Sequence, residues 1–105
     1  MVDMMEWQKI REKVWAKHLA RDESKNFQMD LIRLDPNTKY EPHYHPDVEW
    51  VYILKGGFSD ERGIFSKGRF VLNEKGSKHT VETGPEGCEM IVCWCGEVRK
   101  IEKFK

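Results

Sequence analysis

The chain has 105 residues, 39% of them hydrophobic, and this length is typical of one small domain. Its 18 Lys and Arg balance 18 Asp and Glu, so the formal net charge is zero and no positive field attracts nucleic acid or an anionic membrane. The chain also lacks an apolar run of membrane-spanning length and a signal-like segment. We therefore expect a single domain in the cytoplasm, with neither nucleic acid nor a membrane as a partner.

The segment before residue 22 allows two interpretations. Helical spacing would place six residues on one face of a helix that ends at residue 19: Trp7, Ile10, Val14, Trp15, His18 and Leu19. In the alternative, any helix ends near Lys13 and residues 14–21 form a strand that leads into a turn. Periodicity alone slightly favours the helix.

From residue 27 onward, short β-prone stretches alternate with turns. Phe27, Met29 and Leu31 alternate with Gln28, Asp30 and Ile32, which predicts a half-buried strand. Further strands with turns between them, spaced about 8–12 residues apart, predict a sandwich or small barrel. We place its core at residues 14–98 of a single domain covering 1–105, with short terminal arms. The tail 97–105 is expected to be an edge strand or an arm.

Residues 49–55 are the most β-prone stretch, and their two faces differ. Glu49, Val51 and Ile53 are expected to face inward. The opposite face contains Trp50, Tyr52 and Leu54, which are too apolar to be solvated together. We expect that face to pack against a second layer or another subunit, as in a homodimer.

Three histidines and a glutamate form the candidate metal site. His43 and His45 are two residues apart, so in a strand they lie on the same face. Glu49 begins the next strand, and His79 follows a glycine-containing turn thirty residues later. Burying these groups is costly unless a divalent cation compensates them. Imidazole and carboxylate ligands do not distinguish among Fe(II), Mn(II), Co(II), Ni(II), Cu(II) and Zn(II). Affinity favours Cu(II) or Zn(II), whereas availability and geometry favour iron; Fe(II) or Zn(II) is expected first.

These residues also form a recognisable pattern. His43, His45, Glu49 and Gly56 match H-x-H-x3-E-x6-G, the first cupin motif. Gly68, Gly76 and His79 match the second motif, in which Glu74 replaces the usual Pro and Thr83 replaces the usual Asn. From about Leu31 to Trp94, the chain resembles the cupin domain of ChrR-type anti-sigma factors and the small dioxygenase-like cupins grouped with them.

The resemblance implies an all-β fold, the RmlC-like jelly-roll or double-stranded β-barrel, and it favours a strand over residues 14–20. It also implies metal ligation by His43, His45, Glu49 and His79. Val51, Ile53 and Val81 are then candidates for the wall of an apolar substrate pocket.

Two functions follow from the resemblance. The first is a metal-dependent dioxygenase that acts on a small diketone-like or aromatic ketone substrate. The second is a non-catalytic cupin related to the ChrR domain, which senses a metal or small molecule or binds a ligand without turnover. Sigma-factor binding by this chain alone is not expected, because its first forty residues lack a His/Cys zinc pattern. No residue is identified as a catalytic nucleophile.

Three other features are given structural roles only. Cys88, Cys93 and Cys95 are expected to be reduced, buried thiols. His18 is expected at the surface or at a strand end. The charged turn 60–62 is expected to be a solvated tip.

Overall fold

The structure is a computed structural model that describes residues 2–95, except the side chain of Cys95. Two short 3-10 turns, Val2–Met4 and Glu23–Lys25, accompany nine strands in this part of the chain. The strands are β1 Gln8–Arg11, β2 Val14–Asp22, β3 Phe27–Leu34, β4 His43–Tyr44, β5 Glu49–Asp60, β6 Gly63–Ser66, β7 Phe70–Asn73, β8 Lys78–His79 and β9 Glu82–Cys95. The all-β prediction is confirmed.

The strands form two antiparallel sheets. The larger sheet has the order β1-β2-β3-β9-β5-β6, and β7 also pairs with the first half of β5. The smaller sheet consists of β4 and β8. Side chains of the large sheet pack with Tyr40 and Val81, which flank the small one. The core is thus enclosed between the sheets in a jelly-roll barrel, as predicted.

The N-terminal segment is β-structure, as the resemblance indicated. Arg11 pairs with Val14, so Glu12 and Lys13 form a two-residue turn, and Lys13 has a φ of 67°. This left-handed residue interrupts any helix at residue 13. Residues 8–11, placed in the N-terminal arm by the sequence, form β1 and pair with β2. Helical spacing was misleading because Trp15 and Val14 belong to opposite faces of a strand.

Strand β3 buries one of its two alternating sets of residues most deeply, and that set is partly polar. Gln28, Asp30 and Ile32 are at most 1% exposed, whereas Phe27 and Met29 are only half-buried. Two of the inward residues are polar, so the apolar pattern alone does not show which face is buried. Their burial is compensated because Gln28 Nε2 donates to Asp30 Oδ2 over 2.8 Å.

Strand β5 changes its inward face part-way along. Ile53 pairs with Met90 and Lys55 with Glu89, so Leu54 is an extra residue in the ladder. Before this bulge, Glu49, Val51 and Ile53 are buried; after it, Phe58 and the Asp60 carboxylate are buried. The bulge therefore directs both Glu49 and Asp60 into the barrel.

The outer surface of β5 and β7 is apolar and exposed. Trp50 is 45% exposed, Tyr52 38%, Phe70 63% and Leu72 47%; we call these four residues the aromatic face. The rings of Trp50 and Tyr52 both contact that of Phe70, with centroids about 6 Å apart. Within residues 2–95 no second layer covers this face, so the predicted internal packing of Trp50 and Tyr52 is absent there. None of the described helices is long and apolar enough to cross a membrane.

Candidate metal centre

The three predicted histidines converge where the small sheet meets the barrel interior. His43 and His79 are paired residues of β4 and β8. His45 continues the pairing, because its N–H donates to the Ser77 carbonyl over 2.9 Å and its own carbonyl accepts from Gly76 N–H over 2.8 Å. All three side chains are buried, and one ring nitrogen of each lies within 4.8 Å of those of the other two.

The rings of His45 and His79 are oriented by partners on their outer nitrogens. His79 Nδ1 lies 2.9 Å from the buried carboxylate of Asp60, and His45 Nδ1 lies 2.9 Å from Ser77 Oγ and 3.2 Å from the Ser77 carbonyl. An acceptor at Nδ1 fixes the tautomer with its proton there and leaves the Nε2 lone pair facing the other histidines. Metal-binding histidines are held in this way.

The distances within the histidine cluster fit a metal ion. His43 Nε2 and His79 Nε2 are 2.8 Å apart. Two ligands that are each about 2.1 Å from one ion, at a right angle, lie roughly 3 Å apart. His43 and His79 therefore need little movement to bind a common ion.

Glu49 is adjacent to this cluster and is itself held by two donors. Its Oε1 lies 3.7 Å from His45 Nε2 and accepts from Asn73 Nδ2 over 3.0 Å. Its Oε2 accepts from Trp94 Nε1 over 2.5 Å. Each carboxylate oxygen can accept more than one bond, so these contacts orient Glu49 without preventing ligation.

A polar network behind the candidate ligands connects Glu49 to His79. Asn73, which donates to Glu49, accepts from Arg62 Nη2 over 2.8 Å. The same Nη2 donates to Asp60 Oδ2 over 2.6 Å, and Asp60 holds His79. Burial pushes the pKa of Asp60 up, but bonds from Arg62 and His79 outweigh it and lower that pKa below its usual value. The carboxylate therefore stays charged at neutral pH.

The sequence interpretation missed this network. The turn 60–62 was expected to be a solvated tip, yet the Asp60 carboxylate is fully buried. Simple alternation from Glu49 places Asp60 on the outer face, and the Leu54 bulge reverses that assignment. The sequence signal that could have identified it is Gly56-Gly57, a pair that permits a bulge.

His43 is suited to ligation by its environment. Burial, followed by the charges of His79, His45 and Arg11, lowers the pKa of His43 to about 3. The ring is therefore neutral at physiological pH, and neutral imidazole is the form that binds metals.

A small cavity of about 20 Å³ adjoins His43, His79 and Glu49. Of the predicted pocket residues, Val51 and Val81 line it, whereas Ile53 is fully buried in the core and does not. The remaining lining consists of the apolar residues Leu34, Phe58 and Met90, together with Tyr40, Asn73 and Arg11. One water molecule needs about 10–15 Å³ of such space, so the cavity admits only a very small group.

Other titratable groups take structural positions. The Tyr40 hydroxyl donates to the Lys13 carbonyl over 2.6 Å, and burial raises the pKa of Tyr40 to about 12. His18 is part-exposed, and its Nδ1 lies 2.7 Å from buried Asp30. Cys88 is a buried free thiol whose pKa burial raises to about 12, so it is not a nucleophile.

The family model described as the ChrR cupin-like domain matches residues 1–99. The chain belongs to that family. The resemblance found in the histidine motifs is thereby confirmed, and so is the cupin fold.

This ChrR-like cupin is similar to a curated relative and to solved structures of other cupin-fold proteins. A protein of Cereibacter sphaeroides named as a candidate dimethylsulfoniopropionate lyase, DddL, is 30% identical over 78 residues. That match covers 71% of this chain but only 34% of the relative. The structure of Rhodobacter sphaeroides SigE in complex with the anti-sigma ChrR matches with a TM-score of 0.77 and 18% identity, over 90% of this chain and 50% of that one.

A candidate acetylacetone dioxygenase from Methylibium petroleiphilum also has a TM-score of 0.77, with 12% identity, over 90% of this chain and 73% of that one. At these identities, the two structural matches show a common fold. The chain spans about a third of the curated relative and half of the matched chain in the SigE–ChrR structure, so the activities of those longer proteins do not transfer to it directly.

Proposed function

We propose that this ChrR-like cupin binds one divalent metal ion through His43, His45 and His79, with Glu49 as a fourth ligand. The convergence of three buried histidines within 4.8 Å is the observation that supports this proposal most directly. The carboxylate of Asp60 behind His79 and the donors that orient Glu49 complete a surrounding typical of metal sites. Fe(II) and Zn(II) are the first candidates.

We further propose that the site is enzymatic and acts on a small carbonyl compound, with dioxygen-dependent cleavage of a diketone as the first reaction to test. A bound iron would supply Lewis-acid and redox chemistry at positions that the protein ligands leave open. The chain's own residues would orient the substrate and exclude water, since Val51 and Val81 give the cavity an apolar wall. The cavity of about 20 Å³ favours short aliphatic substrates over aromatic ketones.

Proton transfer by a side chain is less well supported. The Tyr40 hydroxyl already donates to Lys13 and has a raised pKa, so it is a poor general base. Glu49 accepts bonds from Asn73 and Trp94. These contacts favour chemistry that the metal performs.

A second candidate function is metal or small-molecule sensing without turnover. The match of residues 1–99 to the ChrR cupin-like family favours it. In this case a tightly held zinc ion would be sufficient, because a structural or sensory site needs no redox chemistry. We also propose that the protein is a cytoplasmic homodimer, the aromatic face being the candidate contact.

Metal analysis of freshly purified protein, followed by activity measurements, separates these functions. Iron-loaded protein would be supplied with acetylacetone while oxygen uptake is followed. It would also be supplied with dimethylsulfoniopropionate while release of dimethyl sulfide is followed, because the curated relative is named for that reaction. Uptake or release that requires the metal and is lost in Glu49→Ala, but kept in the exposed control Glu86→Ala, would support an enzyme. Tight zinc with no turnover of either compound would support sensing, and absence of metal binding would contradict both.

A further inference from the structure

We infer that Arg62 is a positioning residue of the candidate metal centre, because it sets the donor and acceptor directions of two hydrogen-bond chains, one ending at His79 and the other at Glu49. This inference rests on the proposed function, since it concerns the same metal centre. Arg62 lies in the charged turn 60–62, outside both histidine motifs, and its side chain is 43% exposed.

The fold attaches this turn to the strand that carries His79. Glu61 and Arg62 form the two-residue connection between β5 and β6. The Arg62 N–H donates to Asp60 Oδ1 over 2.8 Å, which stabilises the turn. The Thr80 N–H donates to both carboxylate oxygens of Glu61, over 2.9 and 3.1 Å. The turn is therefore bound to the chain at the residue that follows His79.

The first chain runs from Arg62 through Asp60 to His79. The guanidinium donates to the Asp60 carboxylate from Nε, over 3.2 and 3.3 Å, and from Nη2, over 2.6 Å. Paired donors of this kind bind a carboxylate strongly, and here they compensate the charge of a fully buried one. An ionised carboxylate only accepts, so the facing Nδ1 of His79 carries the proton and its Nε2 lone pair is left for the metal.

The second chain runs from Arg62 through Asn73 to Glu49. Arg62 Nη1 donates to the Leu72 carbonyl over 3.0 Å, and Nη2 donates to Asn73 Oδ1 over 2.8 Å. A guanidinium has no acceptor, so it fixes the Asn73 amide with its oxygen toward Arg62. The amide nitrogen then points to Glu49 and donates to its Oε1 over 3.0 Å.

Both chains depend on one property of Arg62, a planar cation that only donates. Glutamine both donates and accepts, so Arg62→Gln would let the Asn73 amide turn over and would leave the buried Asp60 carboxylate without its charge partner. Arg62→Lys keeps a cation that only donates but loses the planar fork. Arg62→Met keeps an apolar stem near the Phe65 ring, whose centre lies 5.2 Å from the guanidinium carbon, and loses both chains.

The test measures zinc affinity by competition with a chelator and the absorption spectrum of protein saturated with cobalt. Arg62→Gln should lower zinc affinity about tenfold, as expected for a residue that supports metal ligands. It should also shift the d–d bands of bound cobalt, which a residue that only stabilised the fold would leave unchanged. Arg62→Lys should lose less affinity than Arg62→Met. Arg69→Gln, which removes one exposed positive charge elsewhere, should behave as wild type in both measurements.

A second arm asks whether Arg62 acts through Asn73. Asn73→Ala cuts the chain to Glu49, so adding Arg62→Gln to that variant should cost less zinc affinity than Arg62→Gln costs in the wild type. An equal loss in the two backgrounds would overturn the chain to Glu49 and with it the inference.

The other outcomes separate this inference from the proposed function. Wild-type affinity and an unchanged cobalt spectrum in Arg62→Gln would overturn the inference and leave metal binding intact. Equal affinities of Arg62→Lys and Arg62→Met would do the same, and that comparison serves if Arg62→Gln does not fold. Failure of the wild-type protein to bind either metal would overturn the proposed function, and this inference with it.

Discussion

His79 shows how much of the candidate site depends on residues that do not contact the metal position. Its Nδ1 faces the Asp60 carboxylate at 2.9 Å, and Asp60 is in turn held by Arg62 at 2.6 Å. Arg62 also donates to Asn73, which orients Glu49. One exposed arginine therefore connects the supports of two proposed ligands, although it is more than ten residues from either in sequence.

Asp60→Asn should weaken metal binding without removing a ligand. The amide oxygen can still accept from His79, but the negative charge that raises the basicity of the ring is lost. Substitutions of this kind lower metal affinity by about 10–100-fold. Competition with a chelator would measure the zinc affinity, with exposed Asp3→Asn as the control. Unchanged affinity in a folded Asp60→Asn protein would show that Asp60 does not support the site.

His43 should make the stability of the metal-free protein depend on pH. Its pKa is about 3 in the folded protein and 6.5 when unperturbed, so between these values the unfolded chain binds the additional proton. The free energy of unfolding should therefore decrease as pH falls from about 6.5 toward 3. Urea unfolding at several pH values above about 5 would measure this, because Asp60 and Glu61, whose pKa values are lowered in the folded protein, contribute mainly below that pH.

In the same series, His43→Gln removes the titrating ring and should show a weaker dependence on pH. If the free energy of unfolding changed equally with pH in the wild type and in His43→Gln, the pH dependence could not be assigned to His43.

At the scale of elements, strand β5 positions both Glu49 and Asp60 at the candidate metal centre. Its bulge also makes part of that centre hard to predict from the sequence. The histidine spacing and the first half of β5 could be predicted because they follow strict alternation, and Glu49 faces inward as expected. The inward position of Asp60 could not be predicted, because the bulge at Leu54 shifts the alternation of the strand before it reaches that residue. The inward face of β3 could not be assigned from its pattern either, because Gln28 and Asp30 are buried polar residues that hydrogen-bond to each other, and Asp30 also contacts the part-exposed ring of His18. Composition does not reveal such pairing.

Gly56 allows β5 and β9 to approach closely beyond the bulge. Its φ is 64°, and a Cβ at this position would meet the backbone oxygen of Gly87, which cannot move without disturbing β9. Gly56→Ala should therefore lower the free energy of unfolding by roughly 1–3 kcal/mol. Gly84→Ala is the matched control, because a Cβ there meets no heavy atom within 4 Å. Urea unfolding of both variants measures the difference, and equal stability would show that β9 accommodates the methyl group.

At the scale of the whole molecule, the inner and outer surfaces of β5 belong to two different features, the cavity and the aromatic face. Its inner surface contributes Glu49 and Val51 to the cavity, while its outer surface contributes Trp50 and Tyr52 to the aromatic face. Scattered apolar residues are ordinary on a protein surface, but a continuous cluster of aromatic side chains usually marks a contact. The four side chains of the aromatic face form one cluster because of the strand register: Trp50 pairs with Leu72 and Tyr52 with Phe70 across β5 and β7.

The homodimer proposal is tested by a charge at the centre of this face. Trp50 is 45% exposed, so Trp50→Glu should leave the fold of each protomer intact, whereas a contact between two copies would bury two like charges together. Sedimentation should therefore show a wild-type dimer and a folded Trp50→Glu monomer. Ile64→Glu, at a residue 81% exposed on β6, should remain a dimer and controls for the added charge. A Trp50→Glu protein that remains fully dimeric would remove the aromatic face from the interface, and a monomeric wild type would contradict the dimer itself.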